Sequence, residues 1–141
     1  MQAGLEQLIN APVTSHREHF REWLYSTVQH KEKLAESSME IYLDFICGPV
    51  GQGSFCQHQI MHYDPKHTND FAALYSQLGN LPVQLIWGAD DAWEIVDCAR
   101  KLNQAIPNSE LHVLQDCGHF SLEDQPERIL ALLVDFLKRN S

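Results

Sequence analysis

The spacing of apolar positions divides the chain into two parts that meet near residue 80. Before that point, apolar side chains recur three or four positions apart, a spacing typical of helices. Phe20, Trp23 and Leu24 share one helical face in this way, and charged residues fill the positions between them. Beyond it, short unbroken apolar runs alternate with helical spacing. The pattern predicts a helical segment over residues 1–80 and a strand–helix–strand–helix segment over residues 81–141.

Capping and breaking residues divide the first segment into five predicted helices. Pro12 closes a short first helix, and Ser15 is placed as the N-cap of the second. Ser37 or Ser38 is placed as the cap of the third. The predicted apolar side of this third helix consists of Ile41, Tyr42, Phe45 and Ile46. The other boundaries are a stop for the third helix at Gly48-Pro49, a fourth helix over residues 51–62 and a fifth near residues 69–78.

The second segment carries the signals of an α/β fold. The run from Val83 to Trp87 is apolar and ends at Gly88, as expected of a buried parallel strand. A helix is predicted over residues 93–106 and a second strand over residues 111–114. The predicted apolar stripe of the first helix consists of Ile95, Ala99, Leu102 and Ile106. The last helix, over residues 126–138, is predicted to bury Ile129, Leu130, Leu133, Phe136 and Leu137. We therefore expect two parallel strands joined by a helical crossover.

Two polar motifs follow the two predicted strands. The sequence WGADD ends in Asp91, and the sequence DCGHF contains His119. Working groups gather at the carboxyl ends of parallel strands, and neighbouring strands lie about 4.8 Å apart. We therefore expect the Asp91 carboxylate within hydrogen-bond reach of His119, at roughly 2.6–3.2 Å. Such a pair allows the imidazole to act as a general base.

Longer stretches around these motifs resemble the C-terminal part of α/β-hydrolases. They read LPVQLIWGADDAW, LNQAIPNSELHVL and DCGHFSLEDQPERILALLVDFL, and the resemblance runs almost unbroken over residues 81–138. More weakly, GPVGQGSFCQHQI and HYDPKHTNDF resemble the helical cap of members akin to epoxide hydrolases and ring-cleavage hydrolases. The resemblance implies a partial α/β-hydrolase fold with a helical cap segment. It also implies that Asp91 is the triad acid, that His119 is the triad base, and that the chemistry is ester, epoxide or C–C-bond hydrolysis.

The nucleophile motif of that family is not found in the sequence. The family places its nucleophile in G-x-S-x-G on a strand-to-helix turn. Ser54 does not fit, because Gln52 and Cys56 stand at the two glycine positions. The HG-type oxyanion loop is missing as well. We therefore expect a hydrolase-derived chain that is inactive alone or needs a complementary half.

Other interpretations of the same residues stay open. Asp91 can be a helix N-cap, and Asp90 is read as its solvated neighbour. His119 alone would more often be a hydrogen-bonded structural histidine. Cys117 lies two residues before His119 and suggests a Cys–His dyad, which is disfavoured because nearby loop side chains usually point apart. The other candidate histidines are read as surface residues of the cap segment, and they are His16, His19, His30, His58, His62 and His67.

Two rival functions are also retained. The first is a non-catalytic interaction or scaffold protein that binds through the exposed edge of the Val83–Trp87 strand. The second is a small active hydrolase that uses Ser54 or a cysteine. The same open edge predicts a homodimer or higher oligomer, joined through this edge or by exchange of the cap helices, or association with a complementary hydrolase half.

Composition and charge limit the classes of binding partner that we expect. The formal net charge is −9, from 19 acidic and 10 basic side chains, which disfavours nucleic acid. No apolar run approaches the ~20 residues of a membrane span, and the N-terminus lacks the layout of a secretory signal. The four cysteines lack zinc-finger spacing and are read as free thiols in a reducing cytoplasm. His58 and His62 are spaced to bind zinc together with a third ligand, but the interpretation as surface residues of the cap segment is preferred. We expect a small-molecule substrate, no cofactor and no metal.

Overall fold

A computed structural model of the chain describes residues 13–48, 50, 51, 54 and 64–141. The chain forms two compact units. One contains residues 1–25 and 34–65, and the other contains residues 26–33 and 66–141. The expected division at residue 80 into a cap segment and a core segment stays a prediction.

Helices and strands follow the predicted order in the second segment. They are α1 (Val13–Tyr25), α2 (Glu36–Cys47), α3 (Pro65–Ala72), β1 (Val83–Gly88), α4 (Val96–Ala105), β2 (Ser109–Leu114), α5 (Ser121–Asp124) and α6 (Pro126–Arg139), with 3₁₀ turns at Lys31–Lys33 and Tyr75–Leu78. The predicted strand–helix–strand–helix order is confirmed, with the short α5 added before the last helix. The predicted helices over residues 1–12 and 51–62 lie outside the described residues, apart from Gly51 and Ser54.

The first unit is built on α1 and α2. Phe20 and Leu24 are buried as predicted, at 5% and 1% exposure. The predicted apolar side of α2 is wrong at Ile41 and Phe45, which are 68% and 76% exposed, whereas Tyr42 and Ile46 are half-buried. The buried row of α2 instead consists of Met39, Leu43 and Cys47. These three residues are four positions apart, so they lie on one face of the helix.

Charged contacts join α1 to α2. Arg17 pairs with both Glu40 and Asp44, and its contact with Asp44 measures 2.9 Å. Arg21 contacts Glu40 and also Glu36, the latter at 2.8 Å. Hydrogen bonds from Arg17 and Arg21 hold the pKa of the Glu40 carboxyl below its usual value. These contacts fix α2 against α1 on the polar side of the pair.

Both predicted serine caps are wrong. Ser15 lies inside α1, which begins at Val13. Helix α2 begins at Glu36, after an extended Ala35 that makes no side-chain capping bond. Ser37 and Ser38 therefore lie within its first turn. The stop at Gly48 is confirmed, because α2 ends at Cys47.

The second unit contains a sheet of two parallel strands. Its register runs from Val83 opposite Ser109 to Gly88 opposite Leu114, so both strands end at the same edge. Leu114 and Ile129 form a buried core with Cys117. The polar motifs follow directly from this edge, as the sequence predicted.

The helices of this unit are less buried than predicted. Helix α4 begins at Val96 rather than Trp93, and Ile95 is 57% exposed. In α6, Ile129 is buried at 4% exposure. The predicted burial of Leu130, Leu133 and Leu137 is wrong, because their exposures are 61%, 42% and 64%. A sheet of two strands is too narrow to cover the whole apolar face of α6.

Membrane insertion would require a long and continuously apolar helix. Over residues 13–48 and 64–141, no described helix combines the length and the apolar character that crossing a bilayer requires.

Candidate active site

Asp91 and His119 meet at the carboxyl end of the sheet. The Nδ1 atom of His119 lies 2.9 Å from Oδ2 of Asp91, so the predicted hydrogen-bond distance is confirmed. The Asp91 side chain is 4% exposed, whereas that of His119 is 36% exposed. A buried carboxylate therefore holds a half-exposed imidazole. The catalytic role of the two residues stays a prediction.

The second oxygen of Asp91 has a structural task. Oδ1 accepts hydrogen bonds from the backbone N–H groups of Trp93, at 2.9 Å, and Glu94, at 2.8 Å. Because α4 begins only at Val96, Asp91 caps the turn before the helix rather than the helix itself. The capping and acid interpretations are therefore compatible, since each uses a different oxygen. The two backbone bonds also fix the plane of the carboxylate.

The geometry determines which nitrogen of His119 can take up a proton. A carboxylate only accepts hydrogen bonds, so Nδ1 of His119 donates and carries the proton in the neutral ring. Among the described residues, Nε2 of His119 has no hydrogen-bond partner. The imidazole lines a cavity of about 150 Å³ together with Ile86, Trp87, Gly88, Asp91 and Ser121. The ring can thus receive a proton at Nε2 while Asp91 stabilises its positive charge.

Backbone contacts join the two motif loops. The Ala89 N–H donates to the Leu114 carbonyl at 2.8 Å, and the Asp90 N–H donates to the Cys117 carbonyl at 2.9 Å. The Cys117 N–H donates in return to the Asp90 carboxylate at 3.2 Å. Asp90 is exposed as expected of a solvated neighbour, but it also ties one loop to the other. These bonds fix the distance between Asp91 and His119.

Gly88 is required at this point because the loops approach so closely. A Cβ atom at Gly88 would lie 2.3 Å from the Gly118 carbonyl oxygen and 2.4 Å from that of Cys117. We expect Gly88→Ala to lower the free energy of unfolding by about 3 kcal/mol, the upper range for overpacking. Ala89→Gly is the control. It changes the neighbouring residue without adding an atom between the loops, and we expect it to cost about 1 kcal/mol through the greater backbone freedom of glycine. Urea unfolding of both variants tests this, and equal losses would contradict it.

His30 is not simply a surface residue of the cap segment, as the sequence suggested. Its Nε2 atom lies 2.7 Å from the Asp116 carboxylate, and its Nδ1 atom lies 3.3 Å from Glu32. Asp116 adopts a left-handed conformation with a φ of 60°. The hydrogen bond to Asp116 raises the pKa of His30 above its ordinary value. The folded state therefore favours the protonated imidazole.

A pH dependence of stability follows from this contact. Since the folded-state pKa of His30 is raised, the contribution is fully present below about pH 6.5, its usual pKa. It is lost as the pH rises through the raised folded-state value. We expect Asp116→Asn to destabilise the protein more at pH 5.5 than at pH 8.5. Asparagine tolerates the left-handed backbone equally well, so the substitution isolates the charge. Unfolding free energies at both pH values test this, with Glu127→Gln, which removes an exposed carboxylate of α6, as the control. A loss independent of pH would contradict it.

The structure disfavours Cys117 as a nucleophile. The side chain is fully buried, at 0% exposure. Burial, followed by the charges of Asp124 and Asp90, raises the pKa of the thiol to about 11. The group is therefore a neutral thiol at physiological pH. Cys47 and Cys98 are also free thiols, and Cys56 lies outside the described residues.

The remaining predicted site residues are not brought together. His58 and His62 lie outside the described residues, so their zinc spacing stays untested. Across the described ranges 13–48 and 64–141, no three metal-ligating side chains form a group. Ser54 is exposed, and its two motif positions, Gln52 and Cys56, are not described.

One important residue was missed. Asp124 is 1% exposed and accepts a hydrogen bond from the Gly118 N–H, next to His119. Its only signal in the sequence was the acidic pair ahead of Pro126 in DCGHFSLEDQP. Nothing local to that pair predicts which of its two carboxylates is buried.

Named hydrolases are among the proteins that this chain resembles. It is 32% identical to the 2-hydroxy-6-oxononadienedioate/2-hydroxy-6-oxononatrienedioate hydrolase of Paraburkholderia xenovorans over 74 residues. This aligned stretch covers 52% of this chain and 25% of that protein. It is also 40% identical to the monoacylglycerol lipase ABHD6 of Bos taurus over 57 residues. This second stretch covers 40% of this chain and 17% of that protein. The aligned stretches thus cover about a quarter or less of these relatives. No protein-family model matches the chain.

Solved structures share the fold. An α/β-hydrolase fold protein from Burkholderia ambifaria superposes with a TM-score of 0.81 at 27% identity, over 93% of this chain and 47% of that one. A mutant of the meta-cleavage product hydrolase CumD superposes with a TM-score of 0.70 at 21% identity, over 87% of this chain and 46% of that one. The chain thus spans about half the length of these structures. The predicted partial α/β-hydrolase fold is confirmed, and these similarities support the predicted relationship of the chain to the α/β-hydrolase superfamily.

Proposed function

We propose that this chain supplies the acid and the general base of a hydrolase site, and that a nucleophile outside this sequence completes the site. The observation that carries the proposal is the hydrogen bond of 2.9 Å between Asp91 and His119. The carboxylate is buried and held by two backbone N–H groups, whereas the imidazole is half exposed. This arrangement suits a base that must reach a group from elsewhere.

In the proposed reaction, His119 accepts the nucleophile's proton at Nε2. Asp91 keeps the ring in the required tautomer and stabilises the imidazolium. The same proton then passes to the leaving group, so the histidine acts first as a base and then as an acid. The substrate class we propose is a small carbonyl compound that is cleaved at an ester or a C–C bond. The names of the relatives, an oxo-acid hydrolase and a monoacylglycerol lipase, support this class.

The size of the cavity favours a site that is completed by more polypeptide. Its volume is about 150 Å³, whereas complete small-molecule sites usually occupy ~300 Å³ or more. The cavity is therefore smaller than most complete small-molecule sites. The sequence contains no G-x-S-x-G motif that could act beside His119. The complementary part can belong to the same protein or to a separate chain.

The decisive experiment is complementation. The chain is assayed with a p-nitrophenyl ester, alone and mixed with the N-terminal half of the Burkholderia ambifaria protein, and His119→Ala serves as the control. We expect hydrolysis that depends on His119 only in the mixture. Burst kinetics in the chain alone would overturn the proposal by revealing an internal nucleophile. A complex that forms but shows no activity dependent on His119 would also overturn it.

One observation favours the second candidate, a non-catalytic interaction protein. Helix α6 exposes a row of apolar side chains, namely Leu130, Leu133, Val134 and Leu137. We call these four residues the α6 stripe. Within the described part of the chain, the sheet beside the helix has two strands, so β1 or β2 can accept a further strand. Either a second copy of the chain or a complementary hydrolase half could occupy this surface. Binding that His119→Ala leaves unchanged, without any hydrolysis, would support this candidate.

A further inference from the structure

Asp124 is a buried carboxylate that the proposed reaction does not use. It is 1% exposed, and its side chain has hydrogen-bond donors on two sides. A buried carboxylate is unfavourable unless hydrogen bonds replace its lost water. The hydrogen-bond donors around Asp124 therefore indicate its role in the structure.

All the described side-chain partners of Asp124 are backbone amides. On one side, Oδ2 accepts from the Gly118 N–H at 2.7 Å. On the other, the carboxylate accepts from the Gln29 N–H, at 2.9 Å and 3.1 Å to its two oxygens, and from the His30 N–H at 2.9 Å. Charge-assisted bonds of this kind are stronger than neutral ones. Asp124 thus joins the residue before His119 to a segment that lies about 90 positions earlier in the sequence.

The residues on both sides of His119 are held against that same segment. The Phe120 N–H donates to the Thr27 carbonyl at 2.8 Å. A Cβ atom at Gly118 would lie 2.8 Å from the Thr27 carbonyl oxygen and 2.9 Å from the Gln29 nitrogen. The Lys33 ammonium also donates to the Asp124 carbonyl at 3.1 Å. The backbone of His119 is therefore fixed on either side, while its side chain extends to Asp91.

We infer that Asp124 is a positioning residue for His119, and this inference rests on the proposed function. Its carboxylate fixes the Gly118 amide, and this in turn sets the imidazole at the distance and angle that the hydrogen bond to Asp91 requires. Asp124 does not touch the reacting atoms. Its effect should therefore appear in the tautomer of His119 as well as in the stability of the fold.

The test replaces Asp124 by asparagine in the full chain. An asparagine has one accepting oxygen. At the position of Oδ2 this oxygen still reaches the Gly118 and Gln29 amides but leaves an NH₂ group facing the His30 N–H, and at the position of Oδ1 it loses the Gly118 amide. In either orientation the negative charge that strengthens the bond to Gly118 is lost. Nitrogen NMR of ¹⁵N-labelled histidine reports which ring nitrogen carries the proton. We expect the Nδ1–H form of His119 to predominate in the wild type and to decrease in Asp124→Asn. Hydrogen exchange at the Gly118 amide should accelerate about tenfold or more, as expected for loss of a charge-assisted bond.

Two further variants sharpen the result. Glu127→Gln removes an exposed carboxylate from α6 and should leave both readouts unchanged. Asp124→Glu keeps the carboxylate and should restore more than half of the Nδ1–H population lost in Asp124→Asn. If Asp124→Asn does not fold in buffer, the same comparison is made in sucrose, which favours the compact state.

A folded Asp124→Asn chain with unchanged His119 nitrogens would overturn the inference, and so would a folded Asp124→Glu chain without restoration. Both measurements use the chain alone and need no hydrolysis. A negative complementation assay would therefore contradict the proposed function but not the positioning role. Unchanged nitrogens in an active complemented enzyme would contradict the positioning role alone.

Discussion

In the complemented hydrolase, Asp91→Asn should lower kcat by about four orders of magnitude, the usual cost of losing the acid of such a triad. The reason lies in the two oxygens of Asp91. One accepts from the Trp93 and Glu94 N–H groups, and the other accepts from His119. An asparagine that keeps its oxygen on the backbone must present its amide N–H to the ring. The ring would then accept at Nδ1 and carry its proton on Nε2, where it cannot act as the base.

Asp90→Asn is the matched control for this prediction. Asp90 is the adjacent carboxylate and contacts the Cys117 N–H rather than the imidazole. We expect its kcat to stay within about tenfold of the wild-type value, because an amide oxygen can still accept that one hydrogen bond. Comparable losses in the two variants, measured as kcat with saturating ester, would mean that Asp91 has no special role.

The second large effect concerns association through the α6 stripe. We expect the wild-type chain to form a homodimer or higher oligomer at tens of micromolar. Burying apolar surface stabilises by about 25 cal/mol per Å², and association costs about 4–15 kcal/mol, so a stable dimer needs roughly 1,000 Å² or more of buried surface. The α6 stripe supplies the apolar centre of such an interface. Replacing both Leu130 and Leu137 by glutamate should weaken association about a hundredfold or more, because each change places a charge in an apolar contact.

Sedimentation equilibrium is the measurement. Ile41→Glu combined with Phe45→Glu provides the matched control, since these residues are exposed on α2 rather than on α6. The control should associate as the wild type does. A wild-type chain that stays monomeric at these concentrations, without a partner, would show that the stripe does not drive self-association.

The sheet and its connections were predictable because their signals are local. The Val83–Trp87 run ends at Gly88, and the structure has a strand from Val83 to Gly88. The second strand was recognised but begins two residues earlier, at Ser109. Parallel pairing could be predicted because a segment with helical periodicity separates the two apolar runs. A crossover helix returns the chain to the end of the sheet where the first strand began.

Burial of helices was less predictable because it depends on what each face meets. In α2, the large side chains of Ile41 and Phe45 suggested that their face of the helix is buried. The buried face is instead the one that carries Met39 and Leu43. In α6, the periodicity was correct, yet Leu130 has no strand to cover it in this unit. Periodicity identifies an apolar face, whereas the width of the neighbouring sheet determines how much of it is buried.

The acid–histidine pair was predictable because two motifs end two neighbouring strands. The supporting residues were not, because their contacts span long separations. Asp124 binds amides of Gln29 and His30, and His30 in turn binds Asp116. None of these contacts leaves a spacing pattern, because the early segment is a loop without periodicity. Only the three-dimensional fold brings that loop beside His119.

The close approach of Gly88 and Gly118 limits which changes to the two loops are tolerated, both in engineering and in evolution. With a carbonyl oxygen 2.3 Å from the position of a Cβ atom, neither loop can change its path without the other. Transplanting WGADD alone into another scaffold would therefore bring the acid but lose its alignment. Recombination that exchanges the two loops as one block preserves the pair, so productive crossover points lie outside residues 88–119.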